Sequence, residues 1–361
     1  MKSIGKGLII LVMLLLSACS NTPGSTQLEP TPTPTASVLR TDNILVGAYY
    51  YSWYKTTNWM GRHSQTPSSG VYESSDELTL LGHLASIKSN GIDFLALEME
   101  QDESVKTLDE GLIEFWRNLP TTPKLKFCVF YDIDIWLDVL GFDTSNLTVT
   151  NDVALQDTLS AYVARFSEYM RMRNYLHVNG KPVLITYVSH KLPPETLQFV
   201  IEEFASHGIT PYFVGDEAYY SRAEGTSLRH RVSLGYFDAV TAYNSYDGRG
   251  AATFTDFHRQ ELGAQTAYDF NRGYFSHCVV TYDDTKWPGR TYLPLLPEGE
   301  DDIRTTLASC FNNVFELPNN DYGILLFTTF NEWFEGSSIE PSEKYGSLII
   351  GNIKRFIGGS L

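Results

Sequence analysis

The chain has 361 residues, 43% of them hydrophobic and 19% charged, which is enough apolar content to bury a core and excludes a disordered polypeptide. Its 43 acidic residues against 27 Lys and Arg give a formal charge of -16, excluding a protein that binds nucleic acid by releasing counterions from phosphates. Aromatic residues reach 13%, with 22 Tyr and 6 Trp; such rings suit neutral ligands with flat apolar faces, sugars among them, as well as ordinary cores.

The first predicted element is a targeting signal. Lys2 and Lys6 precede an apolar run from Gly7 to Leu16, too short to span a bilayer permanently, and Leu16-Ser17-Ala18-Cys19 follows. That ending resembles the bacterial lipobox, so residues 1–18 are expected to be removed and Cys19 acylated, anchoring the protein to a membrane outside the cytoplasm, in the cell envelope. Residues 19–41, with Pro23, Pro30, Pro32 and Pro34 among Thr and Ser, read as an extended tether. Of the later cysteines, Cys128, Cys278 and Cys310, at least one must be a free thiol, and a disulfide between the other two is allowed. Their spacing fits no zinc pattern, so no metal is assigned.

Residues 42–361 alternate short apolar runs with helical patterns. Strands are predicted at Leu45–Tyr50, Ile92–Leu97, Leu125–Tyr131, Val183–Tyr187, Thr210–Val214, Phe237–Tyr243, Phe275–Tyr282 and Gly323–Phe330. Helices are predicted at Glu77–Lys88, Val105–Trp116, Ala154–Arg171, Glu195–Ala205, Asp301–Phe315 and Ser347–Phe356, while Tyr219–Leu234 is weakly patterned. Eight strand-helix units predict an α/β fold, a single (β/α)8 TIM barrel; a doubly wound sheet would need a glycine-rich turn after the first strand, which is missing.

Barrel chemistry gathers at the C-terminal strand ends. There the sequence places Tyr50, Trp53, Trp59 and His63 after strand one, Glu98 and Glu100 after strand two, and Asp132 and Tyr187 after strands three and four. Asp216 and Glu217, Tyr243 and Asn244, and Asp283 and Asp284 follow strands five to seven. Asp and Asn at such points also cap helices and close turns. Strand eight runs into Asn331-Glu332-Trp333-Phe334-Glu335-Gly336, where two glutamates three apart leave the barrel wall together. Two carboxyls on one short turn can converge on one substrate, one as base and one as acid; acids near a helix start are the plainer alternative.

The segment Asn331–Gly336 with Ile339-Glu340-Pro341 resembles the signature of glycoside hydrolase family 99 and its relatives, which include endo-α-mannosidases. Gly47–Tyr54 with Trp59 and His63, Pro67–Asp76 ahead of Gly91-Ile92-Asp93, Asn179–Val183 and Phe237–Val240 fit as well, so the likeness spans about residues 44–346. It implies a barrel using neither metal nor cofactor and retaining cleavage within an α-linked oligo- or polysaccharide. It assigns Glu332 as the base on the sugar 2-hydroxyl and Glu335 as the acid on the leaving oxygen, through a 1,2-anhydro sugar; in the commoner scheme a carboxylate attacks carbon directly. Tyr50, Trp53, Trp59, His63, Tyr187, Asp216, Tyr243, Asn331 and Trp333 are the expected sugar contacts. Two departures bear on specificity: Phe334 replaces the histidine typical of endomannosidases, and Leu97-Glu98-Met99-Glu100 stands where tryptophans are frequent. The competing reading is a glycan-binding lipoprotein, either an import receptor or a barrel without catalysis.

Overall fold

The computed structural model describes residues 44–359 apart from positions 60, 144, 146, 151 and 266 and the segments 100–102, 119–124, 217–231, 245–262, 291–293 and 318–322. The leader, the tether with Cys19, Glu100 and Glu217 lie outside the described residues.

The strands are β1 (Leu45–Tyr50), β2 (Phe94–Glu98), β3 (Lys126–Asp132), β4 (His177–Val178), β5 (Lys181–Tyr187), β6 (Tyr212–Asp216), β7 (Ala239–Thr241), β8 (Gly273–Tyr274), β9 (Ser276–Val279) and β10 (Ile324–Thr328). They pair in the order β8-β7-β6-β5-β3-β2-β1-β10-β9, with β4 joined to β5 alone. Every pairing on that path is parallel, with Gly47 beside Phe94, Val129 beside Leu184 and Leu325 beside Ser276. Only Phe275 separates β8 from β9, so they are two halves of one strand: Gly273 and Tyr274 pair with β7, and Ser276 onward pairs with β10. This split strand closes the ring, giving the eight-stranded parallel barrel that the sequence predicts. The added element is β4, an antiparallel hairpin arm on β5 made by Asn179 and Gly180, both at positive φ.

The strands form where they do because both faces are buried: all five residues of β2 and of β10 are inaccessible, which only near-continuous apolar runs permit. Around the wall lie α1 (Glu77–Ser89), α2 (Glu103–Asn118), α3 (Ile133–Val139), α4 (Val153–Met170), α5 (Pro194–Ser206), α6 (Glu300–Glu316) and α7 (Leu348–Ile357). Their starts carry the expected signals: Asp76 and Asp152 accept the N–H of Thr79 and Leu155, and α5 begins on Pro194. Cys278 of β9 is bridged to Cys310 of α6, and Cys128 is the free, buried thiol among the described residues. No helix among the described residues is long and apolar enough to cross a membrane.

Candidate active site

The turn after β10 carries the two glutamates, and backbone bonds define it. Ser337 N–H bonds Glu332 O at 3.1 Å, and Gly336 N–H bonds Trp333 O at 3.2 Å. Gly336 has φ +59°, and a Cβ there would come within 3.0 Å of the Asp283 backbone, so only glycine closes this turn without strain. The Asp283 N–H in turn bonds Glu335 O at 2.6 Å, tying the loop after β9 to the acids.

Glu332 is buried. Its N–H bonds the Thr329 hydroxyl at 2.6 Å, and its Oε1 accepts the N–H groups of Phe334 at 2.8 Å and Glu335 at 3.3 Å. Glu332 therefore braces its own turn with one oxygen only: Oε2 is buried with no hydrogen-bond partner. Glu335 is more open, and its Oε2 accepts the Tyr243 hydroxyl at 3.0 Å; that hydroxyl accepts from Tyr51 at 2.9 Å. Burial, with the nearby carboxylates, raises both tyrosines, so they stay protonated and donate.

Burial is also the largest influence on both acids. Glu332 is pushed well above the usual carboxylate range by desolvation and by the Glu335 charge, against the N–H donors at Oε1. Glu335 is raised by desolvation, while Tyr243 and the Arg290 guanidinium favour its charge. Two interacting carboxyls with raised pKa values share a proton as one unit. Asp284, buried beside them, accepts the Tyr282 hydroxyl at 3.1 Å and lies 3.5 Å from Arg290. Asp283 instead accepts the Thr285 N–H and hydroxyl, so it closes a turn.

The other residues expected at the sugar divide into two groups. Trp53, His63 and Tyr187 are half-buried near the strand ends, Trp53 stacked on Phe334 at 6.2 Å and Tyr187 edge-on to Tyr243 at 5.2 Å. Tyr243 reaches Glu335 directly. By contrast, Tyr50 faces outward toward α1 and meets His83 Nδ1 at 3.0 Å, because alternation along β1 sends Tyr49 and Tyr51 to the other side. Asn331 is committed to the wall, exchanging two 2.8 Å bonds with the Tyr51 backbone, and Trp333 is fully buried with its indole on Glu340. Trp59 packs behind Tyr54 at 4.6 Å and donates to Tyr72 O. Asp216 lies beneath Tyr243, accepting its N–H at 3.2 Å. The structure places these five in the wall of the barrel, each with partners of its own. Tyr51, Tyr282 and Arg290 join the site without having been expected there; Tyr51 could have been found from the alternation that sends Tyr50 outward.

The sequence profile of the family described as glycosyltransferase WbsX matches residues 105–353, more than half of the chain, and includes both glutamates. The chain belongs to the WbsX family. The WbsX chain shares its fold with a solved "glycoside hydrolase-like protein", at 16% identity over 91% of this chain and 97% of that one, with a TM-score of 0.70. A family GH99 endo-α-mannosidase from Bacteroides thetaiotaomicron superposes with a TM-score of 0.62 and 16% identity, over 87% and 96% of the two chains. A fungal β-1,4-galactanase does so at 0.53 and 12%, over 87% and 99%. These likenesses establish the barrel. No curated protein matches the chain in sequence.

Proposed function

We propose that this WbsX protein cleaves α-linked glycans with retention at the anomeric carbon, Glu332 and Glu335 forming the reacting pair. One observation carries the reading: a single turn at the C-terminal barrel mouth presents a buried carboxyl with one unpartnered oxygen beside a second, more open carboxyl held by a tyrosine. Glu332 Oε2 takes the proton of the sugar 2-hydroxyl as that oxygen bonds to C1. Glu335 gives its proton to the departing glycosidic oxygen, and the C1–O bond breaks, leaving a 1,2-anhydro sugar. Glu335, now charged and stabilised by Tyr243 and Arg290, takes a proton from water as the water oxygen opens the strained ring, and Glu332 returns its proton to O2. The likeness to an endo-α-mannosidase supports this class of bond, and mannan is the first substrate to offer. The family's description as a glycosyltransferase favours a second acceptor: a sugar hydroxyl in place of water would complete the same steps by transfer.

The test is a screen of α-mannan, α-glucans and mixed α-glycans with wild type, Glu332→Gln and Glu335→Gln, the first-formed anomer read by NMR. Wild-type turnover with an α product and losses of roughly 100-fold or more in both variants is expected. Near-normal turnover in either variant removes that residue from the mechanism, and equal binding without turnover in all three means a glycan-binding protein. We also propose that Cys19 is acylated and holds the barrel outside the cytoplasm; the Cys278–Cys310 bridge supports an oxidising compartment. Cys19→Ala is expected to move the protein from the membrane fraction to the soluble one.

A further inference from the structure

Behind the acid turn runs a buried polar chain that the proposed reaction leaves unused. After Gly336 the polypeptide doubles back along the end of β10: Thr329 N–H bonds Ser337 O at 2.7 Å, and Glu340 N–H bonds Phe330 O at 2.9 Å. The return places the Glu340 carboxyl, 6% exposed, against the rear of the turn. Its Oε2 accepts the Trp333 indole N–H at 3.0 Å and the Tyr72 hydroxyl at 2.9 Å; its Oε1 meets His83 Nε2 at 3.1 Å. His83 comes from α1, and its Nδ1 meets the Tyr50 hydroxyl at 3.0 Å. With Nε2–H directed at the carboxylate, Nδ1 accepts from Tyr50, so each member of the chain fixes the next.

Burying a carboxylate is costly, and packing alone would be served as well by an apolar side chain of similar volume. What the carboxylate adds is three-way acceptance. The indole N–H, the phenol and the imidazole N–H all converge on it, and a neutral amide would set an NH2 against at least one of them. Trp333 is the residue that gains most, since its indole hangs from Glu340 while its N–H bonds the Tyr54 hydroxyl at 2.8 Å. It also stands directly after Glu332 and two residues before Glu335.

We propose that Glu340, oriented by His83, is a positioning residue for the acid pair: by fixing the indole of Trp333, whose backbone N–H is held by the Tyr54 hydroxyl, it sets the direction in which the Glu332 and Glu335 carboxyls leave the turn. The proposal rests on the reading of those two glutamates as the reacting groups. A displacement of about 1 Å at a reacting centre costs on the order of 100-fold in rate, so loss of the anchor should appear in turnover, not in substrate affinity.

Three variants test it: Glu340→Gln, Trp333→Phe, which removes the indole N–H without changing any charge, and their double. Expected are kcat losses of roughly 10- to 100-fold in each single variant with KM within about two-fold, and a double variant no worse than the poorer single. The titration of the two acids, followed by NMR with 13C-carboxyl-labelled Glu, needs no glycan; it should shift in Trp333→Phe as well as in Glu340→Gln. Unchanged kcat and unchanged titration in Trp333→Phe would overturn the proposal, as would losses that add in the double variant and track melting temperature. If wild type turns over no glycan, the functional reading fails, and the Trp333→Phe titration still decides the positioning role. Should Glu340→Gln not fold, His83→Gln in its place is expected to give the same split between kcat and KM.

Discussion

Asp216 ends β6 and accepts the backbone N–H groups of Tyr243 at 3.2 Å and Val188 at 3.4 Å. Burial outweighs these bonds and the nearby His277, pushing its carboxyl up to about 6. An unfolded Asp titrates near 3.9, so between roughly pH 4 and 6 the folded chain keeps a proton that the unfolded chain has released. This group therefore favours the folded state at the acid end, and its contribution is lost as pH rises through that window. Asp216→Asn should flatten the melting temperature against pH between about 4 and 6; a slope identical to wild type would assign the dependence elsewhere. Trp287 belongs to the same scale. It is 39% exposed, 6.0 Å from Phe334, and the Arg62 guanidinium lies 5.7 Å from its ring centre. Trp287→Ala is expected to raise KM for long glycans about ten-fold with kcat kept, and an unchanged KM would place the ring outside the bound chain's path.

At the scale of elements, β1 and β2 meet where Gly47 faces the Phe94 ring: a Cβ at Gly47 would sit 2.3 Å from that ring. Gly47→Ala should cost about 1–3 kcal/mol in stability, read from denaturant midpoints, since a core at native density cannot yield that distance. The same density explains what was legible beforehand. Strands buried on both faces need unbroken apolar runs, so the runs at Leu45, Phe94, Phe127, Val183, Tyr212 and Ile324 announce themselves. The split at Phe275 leaves no mark, because it arises from which neighbour each half reaches. The β4 arm did carry a signal in Asn179-Gly180, a turn pair read only as part of a resemblance. The acid pair was legible because both glutamates lie within one short turn. The Tyr51–Tyr243–Glu335 chain joins residues 192 and 92 positions apart, and only the closed ring brings them together. That Tyr50, Asn331 and Trp333 lie in the wall was not legible, because aromatic and amide side chains serve walls as readily as ligands.

At the scale of the whole molecule, the Cys278–Cys310 bridge joins the closing strand to the helix that follows it, the partners standing 32 positions apart. Restricting an unfolded loop of that length is worth about 2–4 kcal/mol. Cys310→Ser should lower the melting temperature accordingly, and reductant should do the same to wild type and nothing further to the variant. The bridged strand also makes the least extensively paired junction among the described residues, where β7 and β8 pair through Ala239–Gly273 and Val240–Tyr274 while β2 and β3 run together from Phe94 to Glu98. Under native-state amide exchange the ring should therefore behave like a bracelet with a clasp. Protection is lost first between β7 and β8, and the split strand stays fastened to β10 and α6 while the gap opens. The acid turn hangs from that fastened side, so its amides should outlast those across the gap even while the ring stands briefly ajar.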